Sequence, residues 1–325
     1  MGNNAPRAAD QGHEAAGFLV AIVFVCLSAL RDVYLGAALQ RIAPLVITIA
    51  AFSLSTLVFL PSALRCRQSM SVFRSRPSDL LWVNVTSAGA WIAFLYALKL
   101  IEPTIVQILY SGVGPLSVIW AERYRSRGKR VLGLTLAERV AYGALLTTIA
   151  FAAVVVLLGL SGTGRQPIND CIIGVVLAIA GGVCISISVM LCRKLNDAGA
   201  TPAAVLAFRY PGAAIIAAIV AACSPASRPN GLDWIDVALL VAVALIIVPS
   251  YINQVAISLA SPLTVRVVIA VAPALIFVFQ MIEGRLITSS YSLLAALLYG
   301  FAAVSAAVAR RFAIRGVGRA GGVET

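Results

Sequence analysis

Long apolar runs separated by short polar breaks dominate the chain. They cover roughly 17–40, 45–63, 80–99, 104–120 and 140–160, then 171–191, 202–222, 237–259, 263–282 and 291–309. Each is close to the roughly 20 residues an α-helix needs to cross a bilayer. The breaks carry turn and helix-start residues, among them Pro44, Pro103, Pro202 and Pro262. The pattern predicts ten transmembrane helices and no separate soluble domain, an all-α membrane protein. The first run is expected to be a retained span rather than a signal peptide. Its flank from Met1 to Ala16 has no net positive charge, and no small-residue cleavage site follows.

Composition agrees with the pattern: 61% of the 325 residues are hydrophobic and only 12% are charged, which excludes an ordinary soluble globule. The net charge of +12 would suggest nucleic acid in a soluble protein, but here its distribution reports topology. Seventeen of the 25 Lys and Arg residues fall in the tails and loops on one side, five on the other and three within spans. This bias predicts cytoplasmic N and C termini and leaves no call for a nucleic-acid partner. Twenty-two Arg against three Lys, with abundant Ala, point to a GC-rich bacterial genome and hence to the inner membrane. The single histidine, His13, lies in the N-terminal tail, and the six cysteines show no CxxC spacing. No metal, cofactor or disulfide framework is therefore expected.

The two halves repeat each other at an offset of about 158 residues. Ala97, Leu100, Pro103, Gln107 and Pro115 correspond to Ala256, Leu259, Pro262, Arg266 and Pro273; Pro44 corresponds to Pro202, and Tyr142-Gly143 to Tyr299-Gly300. Five helices is an odd number, so the second half enters the membrane from the opposite side. The expected organisation is a tail (1–16), a first five-helix repeat (17–160), a connecting loop (161–170), a second, inverted repeat (171–311) and a tail (312–325). Inverted repeats are the plan of many secondary transporters, whose substrate site lies near the midplane between halves. The ten-span layout, the Ala-x-x-Leu-x-x-Pro entry to the fourth and ninth helices, and the deeper Pro115 and Pro273 resemble the EamA-type branch of the drug/metabolite transporter superfamily. That resemblance covers about residues 17–311. It implies a basket of ten helices moving small polar or amphipathic solutes. Where family members often carry Trp-Gly late in the first helix, this chain has Arg31-Asp32.

Charges inside a span are costly and usually face a cavity or a partner. Arg31, Asp32, Arg209 and Arg266 are the four such residues, and guanidinium groups grip carboxylate or phosphate in a bidentate fork. Consecutive helix residues do not face each other, so Arg31 and Asp32 are expected to find partners elsewhere, Asp32 with an arginine of the second half. Arg266 and Arg209 either serve the cavity or snorkel and pack structurally. Gln107 and Ser111 share a face of the fourth helix. Tyr34, Trp91, Tyr96, Tyr110 and Tyr251 are candidate wall residues or interface anchors, and Asn253 either contacts substrate or bonds between helices. Glu102, Glu122 and Glu283 are expected at helix ends in solvated or capping roles.

A secondary transporter is therefore expected, exporting small anionic or zwitterionic metabolites such as amino acids by alternating access. Import of organic anions, or a structural or sensory role on the same scaffold, are the alternatives. No intramembrane histidine, paired aspartates or H-E-x-x-H motif is present to support an enzyme. The partners are a small-molecule substrate and the lipid bilayer. A monomer suffices to build a pocket from two fused halves, and a dimer is left open.

Overall fold

The computed structural model describes residues 8–125, 135–223, 237–259 and 262–320, with side chains described except at 8–15, 117–125, 237–238, 262–264, 266, 311 and 313–320. The described residues fold into helices without strands. In order these are α1 (Ala8–Ala38), α2 (Pro44–Arg65), α3 (Arg67–Ser75), α4 (Pro77–Leu100), α5 (Pro103–Arg125), α6 (Leu136–Leu157), α7 (Ile168–Asp197), α8 (Pro202–Arg209), α9 (Pro211–Cys223), α10 (Val237–Leu259), α11 (Pro262–Ile269), α12 (Ala272–Glu283) and α13 (Ser290–Ala320). Among the described residues, eight helical stretches are long and apolar enough to cross a membrane. Large apolar side chains such as Leu57, Leu81, Leu146 and Phe301 lie exposed on their outer faces, as a lipid-facing surface requires. The chain is a multi-pass membrane protein.

Each predicted apolar run is helical, with local differences that have clear causes. The run at 202–222 is split into α8 and α9 around Tyr210, because Pro211 has no N–H to continue the ladder and its ring crowds the preceding turn. The run at 263–282 is split into α11 and α12 two residues before Pro273. Pro115 is accommodated within α5. The short helix α3 occupies what reads in sequence as a loop. It buries Val72 and Phe73 in a cluster with Val83 of α4, Leu195 of α7 and Val205 of α8. α1 and α13 extend beyond their apolar windows, Ala16–Ala38 and Ser290–Arg310.

Helix starts follow local chemistry. Pro44, Pro77 and Pro202 each occupy the first turn of their helix, where a missing N–H costs nothing. Thr135 and Glu138 form a reciprocal capping box at α6, and Arg310 of α13 bonds Glu138 at 3.2 Å. α12 ends at Gly284 with φ 71°, a left-handed cap that glycine adopts without penalty.

α4 packs most extensively on α7, and α1 on α10; α5 with α7, α6 with α13, and α2 with α8 and α9 complete the main pairs. One end of the bundle gathers the C-termini of α1, α4, α6 and α12 with the N-termini of α2, α5, α7 and α13. There Gln40 donates to the Lys99 carbonyl and the Ile287 N–H to the Gly162 carbonyl. At the opposite, basic end, Lys194 of α7 meets Asp79 of α4 at 2.7 Å, and Ser69 of α3 accepts the Thr201 N–H.

The approach of α7 to α5 depends on Gly181 and Gly182. A Cβ at Gly182 would lie 2.2 Å from the Tyr110 carbonyl oxygen and 2.4 Å from a Val113 methyl, whereas one at Gly143 on α6 meets nothing within 4 Å. Gly182→Val is therefore expected to destabilise the protein by about 1–3 kcal/mol or more, read as a lower Tm in detergent. Gly143→Ala, the control, leaves Tm unchanged or slightly higher. Equal behaviour of the two variants would refute this account of the helix contact.

Candidate functional site

Arg31 and Asp32 lie on α1 and are 7% and 0% exposed. Contrary to the sequence expectation, they pair with each other: Arg31 Nε and Nη2 both stand 2.7 Å from Asp32 Oδ1. Neighbouring Cβ atoms diverge on a helix, but the arginine stem is long enough to curl back along it, and a buried carboxylate rewards the closest donor. The Arg31 guanidinium carbon also sits 5.2 Å from the Trp91 ring centre and 5.7 Å from that of Phe94, both on α4. Such cation–π contacts gain strength where water is excluded. Two polar atoms of this cluster remain buried without a hydrogen-bond partner, Asp32 Oδ2 and Trp91 Nε1.

Arg209 is the last residue of α8 and is 3% exposed. Its Nε–H donates to Ser87 Oγ of α4 at 2.8 Å; Ser87 in turn is 2.7 Å from the Ser188 hydroxyl of α7. Its guanidinium carbon lies 5.2 Å from the Tyr210 ring centre. No carboxylate among the described residues pairs with it. The negative end of the α8 dipole favours a cation here. Asn84 of α4 holds the helix break in place: its side-chain amide donates to the Phe208 carbonyl at 2.7 Å and its Oδ1 accepts the Gly212 N–H at 2.8 Å. Asn84 thus serves helix bonding, one of the two roles open to spanning amides.

An aromatic bridge joins the two arginines. Trp91 meets Phe52 of α2 at 5.4 Å between centres, and Phe52 stacks on Tyr210 at 4.5 Å. On the other side Phe94 contacts Tyr110 of α5 at 4.7 Å. Phe94, which also lies against the Arg31 guanidinium, thereby links Tyr110 to the buried pair. Of the predicted residues, the fold therefore brings together Arg31, Asp32, Trp91, Tyr110 and Arg209. Sequence reasoning missed Phe52, Ser87, Phe94 and Ser188. One signal was present: Asn84, Ser87, Trp91 and Phe94 recur at helical spacing and mark a single face of α4.

Other candidates fall elsewhere. Tyr251 is 40% exposed and stacks on Phe59 of α2 at 5.3 Å. Tyr96 is half-buried, about 140° around α4 from Trp91 at 100° per residue. Asn253 is half-buried with Oδ1 unpartnered; its neighbour Gln254 is fully buried with both amide atoms unpartnered. Tyr34 is half-buried on α1 and Gln107 is buried on α5. Arg266 belongs to α11, but its side chain lies outside the described residues, as does that of Glu122. Along α5 every residue from Pro103 to Leu109 is buried, whereas Tyr110, Ser111 and Val113 to Leu116 are partly exposed. Partial exposure along α5 thus begins at Tyr110 and continues toward the basic end.

Glu102 departs from the expected solvated role. It is 2% exposed, and its Oε2 accepts the Gly162 N–H at 2.7 Å and the Ser292 hydroxyl at 2.6 Å. The Gln280 side chain adjoins the same carboxyl and receives the Thr104 hydroxyl. One carboxyl thereby ties the α4–α5 turn to the α6–α7 loop and to α13. Beside it opens a cavity of about 310 Å³ lined by Gln40, Lys99, Pro103, Gly162, Gln166 and Arg285 among others. It is separate from the buried arginines. Arg285 there is paired with Glu283 at 3.1 Å.

No family model matches the sequence, and no curated protein does. Fifteen chains of solved structures match. One, described only as "Crystal structure of protein", is 19% identical with a TM-score of 0.62, over 92% of this chain and 99% of its own. At that identity the likeness shows a shared fold and nothing further.

Burial holds the Glu102 carboxyl above the ordinary carboxylate range, against the opposing pull of the Ser292 and Gly162 hydrogen bonds. A raised carboxyl binds its proton more tightly in the folded than in the unfolded chain. Its effect therefore lowers stability as pH rises from the unfolded-state value through the folded one. In detergent, Tm of the wild type minus that of Glu102→Gln is expected to fall across this window. A difference independent of pH would show that the Glu102 proton is not linked to folding.

Proposed function

We propose that this protein is a secondary transporter that exports small anionic or zwitterionic metabolites, amino acids or similar, by alternating access across a bacterial inner membrane. In this reading it belongs to the EamA-type branch of the drug/metabolite transporter superfamily and has ten spans in two inverted five-helix halves, with cytoplasmic termini. The observation that carries the proposal is the burial of Arg31, Asp32 and Arg209 inside a bundle of apolar helices, the two arginines being linked through the rings of Trp91, Phe52 and Tyr210. Maintaining charges there costs several kcal/mol unless they are paired, and such residues mark substrate or ion paths by default.

The packing supports the inverted repeat. If α1 corresponds to α7, α2 to α8 and α9, α4 to α10, α5 to α11 and α12, and α6 to α13, then the pair α4–α7 becomes α10–α1. The pair α5–α7 likewise becomes α12–α1, while α2 with α8 and α9, and α6 with α13, map onto themselves. All of these contacts are present. The basic end is then cytoplasmic by charge bias. Burial of α5 from Pro103 to Leu109, with partial exposure from Tyr110 on, fits a state packed more tightly at the Glu102 end than toward the basic end.

In such a cycle the guanidinium groups hold and orient the anionic group, Asp32 accepts a donor, and the aromatic bridge excludes water around them. Rocking of the halves would move closure from the Glu102 end to the basic end. Untargeted mass spectrometry of spent medium is the test, comparing cells with wild type and Asp32→Asn at matched membrane levels. One compound class should accumulate outside with the wild type and fall at least about tenfold with the variant, since removing one partner of a buried charge pair costs about 2–5 kcal/mol. No compound accumulating with either form would overturn export.

A further inference from the structure

The cavity beside Glu102 is walled by four segments that lie far apart in sequence. Gln40 follows the last turn of α1, Lys99 belongs to α4, Thr163 and Gln166 to the α6–α7 loop, and Arg285 to the α12–α13 loop. Bonds between these segments fix the walls. The Gln40 side-chain amide donates to the Lys99 carbonyl at 3.2 Å and to the Gly36 carbonyl at 3.3 Å, and the Ile287 N–H donates to the Gly162 carbonyl at 3.1 Å. A Cβ at Gly162 would lie 2.6 Å from the Ile287 carbonyl oxygen, so glycine is what lets the two loops meet. A Cβ at Gly36 would lie 2.9 Å from the Pro103 ring and 3.3 Å from Arg285 Nη2. The head of Arg285 therefore rests between α1 and the start of α5, one turn before the Gln40 that closes onto Lys99.

The charge of that lining has one sign. Two cations, two amides and a hydroxyl contribute to the walls of about 310 Å³ of space, and none of the lining residues is acidic. Glu102 is close but does not line it, because its carboxyl is buried and bonded to the Gly162 N–H and the Ser292 hydroxyl. Glu283 occupies only the Nε side of Arg285, and the terminal nitrogens of a guanidinium carry four further donors. We propose that this cavity binds a small oxyanion, a carboxylate or a phosphate group, held between Lys99 and Arg285. The volume lies at the small end of the range for ligand pockets, roughly 300–1,000 Å³, which suits a compact anion. Lys99 belongs to the first half of the chain and Arg285 to the second, so the bound anion fastens the end of α4 to the α12–α13 loop. Glu102 and Ser292 make a second such tie at the same end. The site is separate from the buried arginines and stands whether or not the protein moves solutes. A free solute and a lipid headgroup both carry the required chemistry.

The test is thermal stabilisation of the purified full chain in phosphatidylcholine nanodiscs, with sodium acetate or inorganic phosphate replacing sodium chloride at constant ionic strength. A saturable rise in Tm with either anion identifies a free solute. A rise when phosphatidylglycerol replaces part of the phosphatidylcholine, with no further effect of the soluble anions, identifies a lipid headgroup. Either result supports the site if it depends on the two cations. Lys99→Gln and Arg285→Gln should each weaken the response about threefold or more, as expected of a charge-assisted contact partly screened by water, and the double variant should lose it. Lys99→Arg, which keeps the charge, should retain it. Arg165→Gln is the control, because Arg165 is an exposed cation of the α6–α7 loop that does not line the cavity; its response should equal that of the wild type. Lys99, Arg165 and Arg285 are all exposed, so the single variants should keep the wild-type Tm in chloride, and they carry the test if the double variant aggregates. Hydrogen exchange supplies a second readout: the Gly162 and Ile287 amides, which bond across the walls, should gain protection with the anion in the wild type alone. No response to acetate, phosphate or phosphatidylglycerol overturns the site. A response undiminished in Lys99→Gln and Arg285→Gln, or lowered equally by Arg165→Gln, does the same.

Discussion

A charge removed from water must be compensated by what it touches, and the centre of this bundle is arranged around that constraint. Arg31 is held by Asp32 at 2.7 Å and by the faces of Trp91 and Phe94; Arg209 is held by a hydroxyl chain running through Ser87 to Ser188 and by Tyr210. These partners come from α1, α4, α7 and the α8–α9 junction, so placing two guanidinium groups fixes the mutual positions of four elements. Apolar burial alone specifies such an arrangement poorly among helices surrounded by lipid, where neighbouring chains are no more apolar than the solvent. The close passage of α7 along α5, made possible by Gly181 and Gly182, supplies packing where side-chain polarity does not.

The break in the seventh predicted span shows how sequence, backbone and charge are linked. Pro211 interrupts the hydrogen-bond ladder, which would leave a buried carbonyl and a buried N–H without partners. Asn84 supplies both bonds from a neighbouring helix. The interruption ends α8 at Arg209, so the carbonyl end of the helix lies at the residue that carries the buried charge. A continuous helix would carry those carbonyls forward into its own ladder. The proline thus acts on the arginine indirectly, through the backbone, and Asn84 keeps that backbone satisfied.

Periodicity and proline punctuation made the apolar helices legible, because a spanning helix needs a long uninterrupted apolar stretch and little else in the chain has one. The amphipathic α3 was not legible, since nine residues with two arginines, three serines and a glutamine around three apolar side chains read as a loop until Val72 and Phe73 have a surface to cover. The Arg31–Asp32 pair was misjudged for a geometric reason. The rule that consecutive residues do not face each other concerns Cβ directions, while the reach of arginine exceeds that separation. Glu102 was misjudged because its burial comes from Gly162 and Ser292, which are 60 and 190 residues away in sequence, and no local pattern announces such a lid. The α4 stripe from Asn84 to Phe94 was present in the sequence, but its serine and phenylalanine carry no charge to distinguish them from packing residues.

No carboxylate among the described residues pairs with Arg209, and that bears on motion. A ligand shifts a conformational equilibrium only by the difference in its affinity for the two states, so a site whose charges were all satisfied before binding would give a ligand little leverage. Here one half of the charge arrangement is internally balanced and the other is not. The balanced half, Arg31 with Asp32, rests on α1, which packs on α10 and α12; the unbalanced half rests on the α8 end, which packs on α2 and is bonded to α4. An anion arriving at Arg209 would act on the α8 end and leave the α1 pair as it is. The energy gained there is available to favour whichever arrangement of the α8 end holds the anion best.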